Sequence, residues 1–242
     1  MGKTVNLMEV HVVYGWGAHR LAALLPTHCL VCGEAGVAGR DACLACLAAL
    51  PWLREACPRC ALPLGAAERG QVACGACQRR PPPLDAVIAA FAYGWPVDGL
   101  LRRFKFHQDL AAGRLLGQLL AERCRQAPRP QALVPLSLHI ARLRQRGYDQ
   151  ALELARPLAR VLGLPCLPAL RRIRATRPQS ELDARQRVRN LRGAFAVGIA
   201  LPAHVALVDD VMTTGASLHA AAHALRKAGV QRVDAWVCAR VP

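Results

Sequence analysis

The stretch from His204 to Leu218, HVALVDDVMTTGASL, concentrates residues that can do chemistry. Val205, Ala206, Leu207 and Val208 form a short apolar run of the kind that makes a buried strand. Asp209 and Asp210 stand at its carboxyl end, followed by the small, hydroxyl-bearing Thr213, Thr214, Gly215, Ala216 and Ser217. Leu218 to Lys227 then has helix-forming composition, and Gly229 stops it. The order predicted is strand, acidic pair, small-residue loop, helix. A loop opening onto a helix N-terminus offers free N–H groups and partial positive charge to a phosphate. Thr213, Thr214 and Ser217 add hydroxyl donors, and Gly215 lets the backbone approach closely. The two carboxylates would repel that phosphate, so they face something else, either adjacent ribose hydroxyls or a Mg²⁺-bound assembly. Together these residues describe a site for a sugar with a 5-phosphate at one end and free hydroxyls in the middle.

A second kind of chemistry lies upstream. Cys29–Cys32, Cys43–Cys46, Cys57–Cys60 and Cys74–Cys77 are four C-x-x-C pairs, each putting two thiolates on one tight turn. Two such knuckles build a tetrahedral Cys₄ site for Zn²⁺. Ten residues separate the first two pairs and thirteen the last two, which are zinc-ribbon separations. The simplest pairing is sequential, with two structural ions. Ten residues also separate Cys46 from Cys57, so spacing leaves an interleaved pairing open. Iron–sulfur ligation and redox-active thiols are the alternatives to zinc. Cys124, Cys166 and Cys238 are isolated in apolar contexts and read as core.

Elements must position these groups. Residues 1–25 carry no clear motif. Arg79-Arg80-Pro81-Pro82-Pro83 is a stiff spacer and places a border near residue 80, giving a ribbon domain at 26–80 and a second domain at 81–242. Val87–Tyr93 reads as a strand, Val97–Phe106 and Leu110–Arg125 as helices, and Ala132–Leu136 as a short buried strand. Arg102, Arg103, Lys105 and His107 cluster between the two helices, as an anion site or a solvated face. After the 132–136 strand comes an Arg-rich loop with Arg142, Arg144 and Arg146, then another helix. Arg144 and Arg146 suit pyrophosphate, because the planar guanidinium meets phosphate oxygens bidentately. Arg172 to Asn190 is polar, strongly basic and without an apolar stripe, as expected of a loop that orders over an anionic ligand, with Arg172, Arg174 and Lys105 closing over it.

The chain has 242 residues, 53% of them hydrophobic, enough for a sizeable core and too apolar for a disordered protein. No apolar run nears the roughly 20 residues of a membrane span, and the N-terminal stretch lacks a signal-peptide apolar region. A cytoplasmic protein without membrane insertion is expected. The net charge is +16, and only three of 32 basic residues are Lys. That balance favours nucleic acid or phosphorylated ligands.

The His204–Leu218 stretch resembles the phosphoribosyl-pyrophosphate (PRPP) signature of type I phosphoribosyltransferases. The whole chain resembles the ComF family. This wider resemblance rests on the four C-x-x-C pairs, Phe104-Lys105-Phe106, Val134-Pro135 and Arg146-Gly147-Tyr148-Asp149-Gln150. It continues through Arg172, Thr176, Gln179, Arg187, Asn190, Ala194-Phe195 and Asp209–Ser217. One departure is Tyr148-Asp149, where the family more often has Phe-Asn. The resemblance implies an α/β fold, a type I phosphoribosyltransferase-like parallel sheet with flanking helices, preceded by a small double zinc-ribbon domain. It implies that Asp209 and Asp210 hold ribose hydroxyls as the catalytic pair and that Thr213, Thr214, Gly215, Ala216 and Ser217 wrap the 5-phosphate. Lys105, Arg144, Arg146 and Arg172 would meet the rest of PRPP, with Mg²⁺. It implies a link to DNA uptake, with single-stranded DNA, an uptake helicase or a recombination mediator as partners. Transfer of the ribosyl group to a nitrogen acceptor is the enzymatic alternative.

Overall fold

The computed structural model describes residues 27–37, 39–65, 73–173, 191 and 193–242. The chain forms two compact units, Met1–Ala48 and Ala49–Pro242.

The first unit is built on a cysteine knuckle. The Cys29 carbonyl accepts from the Gly33 N–H at 2.8 Å, and the Cys29 N–H donates to the Glu34 carbonyl at 2.7 Å. Gly33, at φ +83°, makes that reversal without strain. Cys43 and Cys46 follow, Cys46 on the short helix α1 (Leu44–Ala49).

The second unit contains the other cysteine knuckles and the sheet. Helix α2 (Gly75–Arg79) carries Cys77, and Cys74 is its N-cap residue. Strand β1 (Ala86–Ala92) leads to helix α3 (Val97–Phe106), which buries Val97, Leu100, Leu101 and Phe104 on one stripe. Helix α4 (Leu110–Cys124) is capped by the Asp109 carboxylate, which accepts from Ala112 N–H at 3.0 Å. Strand β2 (Ala132–Pro135) is followed by helix α5 (Ile140–Arg146), which ends at Gly147 in the left-handed region. Asp149 then caps helix α6 (Gln150–Leu162). Strand β3 (Leu170–Arg172) pairs antiparallel with β4 (Phe195–Val197). The chain closes with β5 (His204–Met212), α7 (Ala216–Lys227) and β6 (Arg232–Arg240).

The main sheet is parallel throughout, in the order β1-β6-β5-β2. The middles of its central strands, Val205–Val208 of β5 and Ala235–Ala239 of β6, are continuous apolar runs, as strands covered on both faces require. On one face Val205, Leu207, Val233, Ala235 and Val237 pack with Leu218, Ala221, Ala222 and Leu225 of α7. Helices α4 and α6 cover the other, with α3 packed on α4. There Gly113 lies so close to Phe104, and Gly117 to Pro157, that an added Cβ would fall 2.4 and 2.6 Å from those side chains.

The edge of β1 is not bare. Leu53 N–H donates to Ala90 O at 2.9 Å, Ala92 N–H to Pro51 O at 2.9 Å and Val87 N–H to Pro58 O at 2.8 Å. Trp52 bridges Phe91, with ring centroids 4.6 Å apart. The segment before the second tetrad thus covers a sheet edge that would otherwise present unpaired backbone groups. The three prolines at 81–83 lie inside the second compact unit, which holds the second cysteine tetrad and the sheet together. Among the described residues no helix is long and apolar enough to cross a membrane.

Candidate functional site

Parallel sheets bind ligands beyond the carboxyl ends of their strands. Here the carboxyl ends of β2 and β5 frame a cleft of about 220 Å³. Its walls include Ser137 from the end of β2, Arg142 and Arg146 from α5, Gln150 from α6 and Lys105 from α3. Arg172, Asp209, Asp210, Thr213, Gly215, Ala216 and Ser217 complete it.

Strand β5 does not stop before its acidic pair, as the apolar run suggested. It continues to Met212, with Asp209 opposite Val237, Val211 opposite Ala239 and Met212 opposite Arg240. The ladder supplied by β6 carries the strand past the charges. The charges are themselves accommodated. Asp210, 7% exposed, meets the Lys105 ammonium at 3.0 Å. Asp209 accepts from the Asp210 N–H at 2.8 Å. Burial, then the neighbouring Asp210 charge, push the Asp209 carboxyl well above its usual range. Lys105 is pulled down by burial, but the Asp210 and Asp209 charges outweigh that and hold it above its ordinary value.

The turn after β5 runs through exposed Thr213 and Thr214 into Gly215, at φ +76°, which opens α7. A Cβ at Gly215 would be strained at this φ and would lie 2.5 Å from Met212 Cε and 3.0 Å from His219 Nε2, so both side chains would have to move. The Thr214 hydroxyl accepts from Ala216 N–H at 3.4 Å, and Thr214 is not part of the cleft wall, unlike Thr213 and Ser217.

The opposite wall is cationic. Arg142 is depressed by burial and by Arg146, and Arg172 by burial and by Arg142. Guanidinium groups that repel one another along one wall are a ready receptor for a polyanion. Arg146 also donates to Gln150 Oε1 at 2.8 Å and lies over the exposed Phe106 ring at 5.5 Å. Gln150 is 2% exposed, and its Nε2, like the buried Ser137 Oγ, has no hydrogen-bond partner.

The geometry therefore brings Lys105, Arg146, Arg172, Asp209, Asp210, Thr213, Gly215, Ala216 and Ser217 to one cleft. Arg144 is exposed and outside it; Arg142, one helical turn before Arg146, stands there instead. Arg174 and most of the expected closing loop fall at 174–190, outside the described residues. Gln150 closes the Arg146–Gln150 motif of the family resemblance but is given no role there, and Ser137 carried no sequence signal beyond its position beside the Arg-rich segment.

The cysteines form two tetrads, paired sequentially: Cys29, Cys32, Cys43, Cys46 and Cys57, Cys60, Cys74, Cys77, with all sulfurs of each within 4.8 Å of one another. A tetrahedral ion with Zn–S bonds of about 2.3 Å sets its sulfurs about 3.8 Å apart. Cys32–Cys43 and Cys60–Cys74 Sγ atoms are 3.7 Å apart, too far for disulfides and right for shared ligation. Burial pushes the Cys29 and Cys57 thiols up, but backbone N–H donors, chiefly of Cys43 and Cys74, outweigh it and bring them to about 6 and about 7. Both tetrads fit a structural zinc ion.

Comparison with known proteins agrees with both halves. Residues 20–78 match the double zinc ribbon domain and residues 149–242 the phosphoribosyl transferase domain. Competence protein F of Haemophilus influenzae is 36% identical over 178 residues, 69% of this chain and 78% of that protein. DNA utilization protein YhgH of Salmonella typhi is 34% identical over 206 residues, 82% of this chain and 89% of that protein. The crystal structure of TT1426 from Thermus thermophilus aligns over 54% of this chain and 83% of its own, at TM-score 0.33 and 23% identity, a likeness too distant to bear on the site.

Proposed function

Since the chain belongs to the ComF family, that of competence protein F and YhgH, we propose that it binds PRPP in the cleft and serves DNA uptake in the cytoplasm. The observation that carries the ligand is that three chemistries line the one cleft. The glycine turn and N-terminus of α7 suit the 5-phosphate. Asp209 and Asp210 suit the ribose hydroxyls, and Lys105, Arg142, Arg146 and Arg172 suit the pyrophosphate. Mg²⁺ would accompany the pyrophosphate, sharing its charge with the arginines. Lys105 neutralises Asp210 before any ligand arrives, so the sugar exchanges one set of Asp210 partners for another.

Calorimetry of PRPP with Mg²⁺ tests this. Wild type is expected to bind, and Asp210→Ala to lose at least about tenfold in affinity, the worth of one charged hydrogen bond. Absence of wild-type binding would sink the ligand assignment.

The second part of the reading is contact with single-stranded DNA, directly or beside an uptake helicase or recombination mediator. A net charge of +16 supports a phosphate-led contact, whose affinity must fall steeply with salt. A flat salt response would exclude it.

An active transferase is the alternative reading. There the bond from ribose C1 to pyrophosphate breaks, a bond from C1 to an acceptor nitrogen forms, and the nitrogen releases a proton. The raised Asp209 carboxyl favours it, because such a group takes up a proton readily. Pyrophosphate release dependent on an added nitrogen base would establish it.

A further inference from the structure

The second cysteine tetrad and the cleft are in the same unit, and one side chain joins them. Arg240, at the carboxyl end of β6, is 7% exposed. Its Nε donates to the carbonyl of Cys60 at 2.8 Å. One of its terminal nitrogens donates to the carbonyl of Met212 at 3.2 Å and to that of Val241. Cys60 is a ligand of the tetrad; Met212 is the last residue of β5 and lines the cleft immediately before the Thr213–Ser217 turn. The Met212 carbonyl also accepts from Val241 N–H at 3.0 Å, so two donors hold the point at which the strand becomes the turn.

We infer that Arg240 is a positioning residue that makes the metal-loaded second tetrad a support of the phosphate-binding turn. A buried guanidinium is costly without a counter-charge. A divalent ion held by four thiolates keeps two net negative charges, which supply it. Metal in the second tetrad therefore sets both the position and the electrostatic balance of the group that pins Met212. The role at the turn rests on the PRPP reading; the mechanical link does not.

The test is hydrogen exchange by mass spectrometry on the full-length, zinc-loaded chain, comparing the 209–218 segment with a reference segment in α6. Arg240→Met is expected to speed exchange at 212–215 by about tenfold or more, the cost of losing charged hydrogen bonds, with the reference unchanged. Cys77→Ser should loosen the same amides, and Cys46→Ser should leave them as in wild type. Arg240→Lys keeps the charge but cannot fork between two carbonyls; it should retain both zinc ions and still exchange faster at 212–215. Should Arg240→Met fail to fold, Arg240→Lys and Cys77→Ser decide. Exchange at 212–215 equal to wild type in these variants overturns the link. PRPP calorimetry on the same samples separates the two ideas. A wild type that fails to bind PRPP refutes the ligand, while the exchange result judges the link independently.

Discussion

Asp209 and Asp210 are adjacent on β5, and strand alternation sends them to opposite faces of the sheet. Asp210 finds Lys105 there; Asp209 finds a backbone N–H and a like charge. The raised Asp209 carboxyl has a definite consequence for pH. On the proposed reading ribose hydroxyls donate to the ionised form, so PRPP affinity should be lost as pH falls through the raised value and regained above it. Calorimetry in buffers of different ionisation enthalpy should show proton release on binding below that value, abolished in Asp209→Asn. The same residue costs stability when ionised, so Asp209→Asn should melt higher than wild type at neutral pH and no higher at pH 4. His219, on the first turn of α7, is the opposite case. Burial holds it down to about 4 from 6.5, and its Nε2 has no partner. The unfolded chain takes up a proton there below 6.5 and the folded chain does not, so stability falls between pH 6.5 and 4. His219→Gln should flatten that limb by about 2–3 kcal/mol in denaturant titrations; an unchanged limb would refute the assignment. Asp149, the departure from the family pattern, does not oppose an anion. One of its oxygens caps Leu152 and the other accepts from Leu138 N–H, fixing the turn after β2.

Helix α5 shows how an element decides which residues matter. Read as a loop, residues 137–149 give no reason to prefer one arginine over another. Folded as a helix, the i, i+4 pair Arg142 and Arg146 shares a face turned to the cleft, and Arg144 lies opposite, exposed. Arg142→Ala should therefore weaken PRPP binding about 10–100-fold and Arg144→Ala hardly at all. Equal losses would mean that bulk charge, not position, governs binding. The helix was illegible because its three arginines and its flanking Ser and Gly leave no apolar stripe; it buries no residue at all. The strand–turn–helix at 204–227 was legible for the opposite reason: an apolar run, a glycine and an alanine-rich helix each have one good solution. What the pattern hid was the extra reach of β5, which depends on β6 as partner. Gly215→Ala tests the turn. Its φ of +76° strains any side chain and the 2.5 Å approach forces Met212 Cε to move, so the turn should shift and PRPP binding weaken about tenfold or more. The accompanying loss of stability should be about 1–3 kcal/mol.

For the molecule as a whole, the cysteine spacing revealed both tetrads, and two organisations follow for the rest: a border near residue 80, or the compact units 1–48 and 49–242. Three prolines look like a linker because they cannot join a helix or a central strand. Here they lie between two pieces of one unit: Arg226 reaches back to the Pro83 carbonyl at 3.1 Å, and Arg59 to Asp85 O at 3.1 Å. The contacts that unite the pieces are long-range, backbone to backbone along β1, and no local pattern announces them. Shortened chains distinguish the two organisations. Residues 49–242 should fold with one zinc ion and retain the cleft. Residues 81–242 would expose the β1 edge, remove Trp52 from Phe91 and leave the Arg240 guanidinium without Cys60. Losing several buried hydrogen bonds and an aromatic contact costs on the order of 5 kcal/mol, so Tm should fall by about 10–20 °C relative to 49–242. The bare edge should also make the shorter chain prone to aggregate. If 81–242 melts with 49–242 and binds PRPP as well, the second ribbon is a separable module and its metal has no part in supporting the cleft.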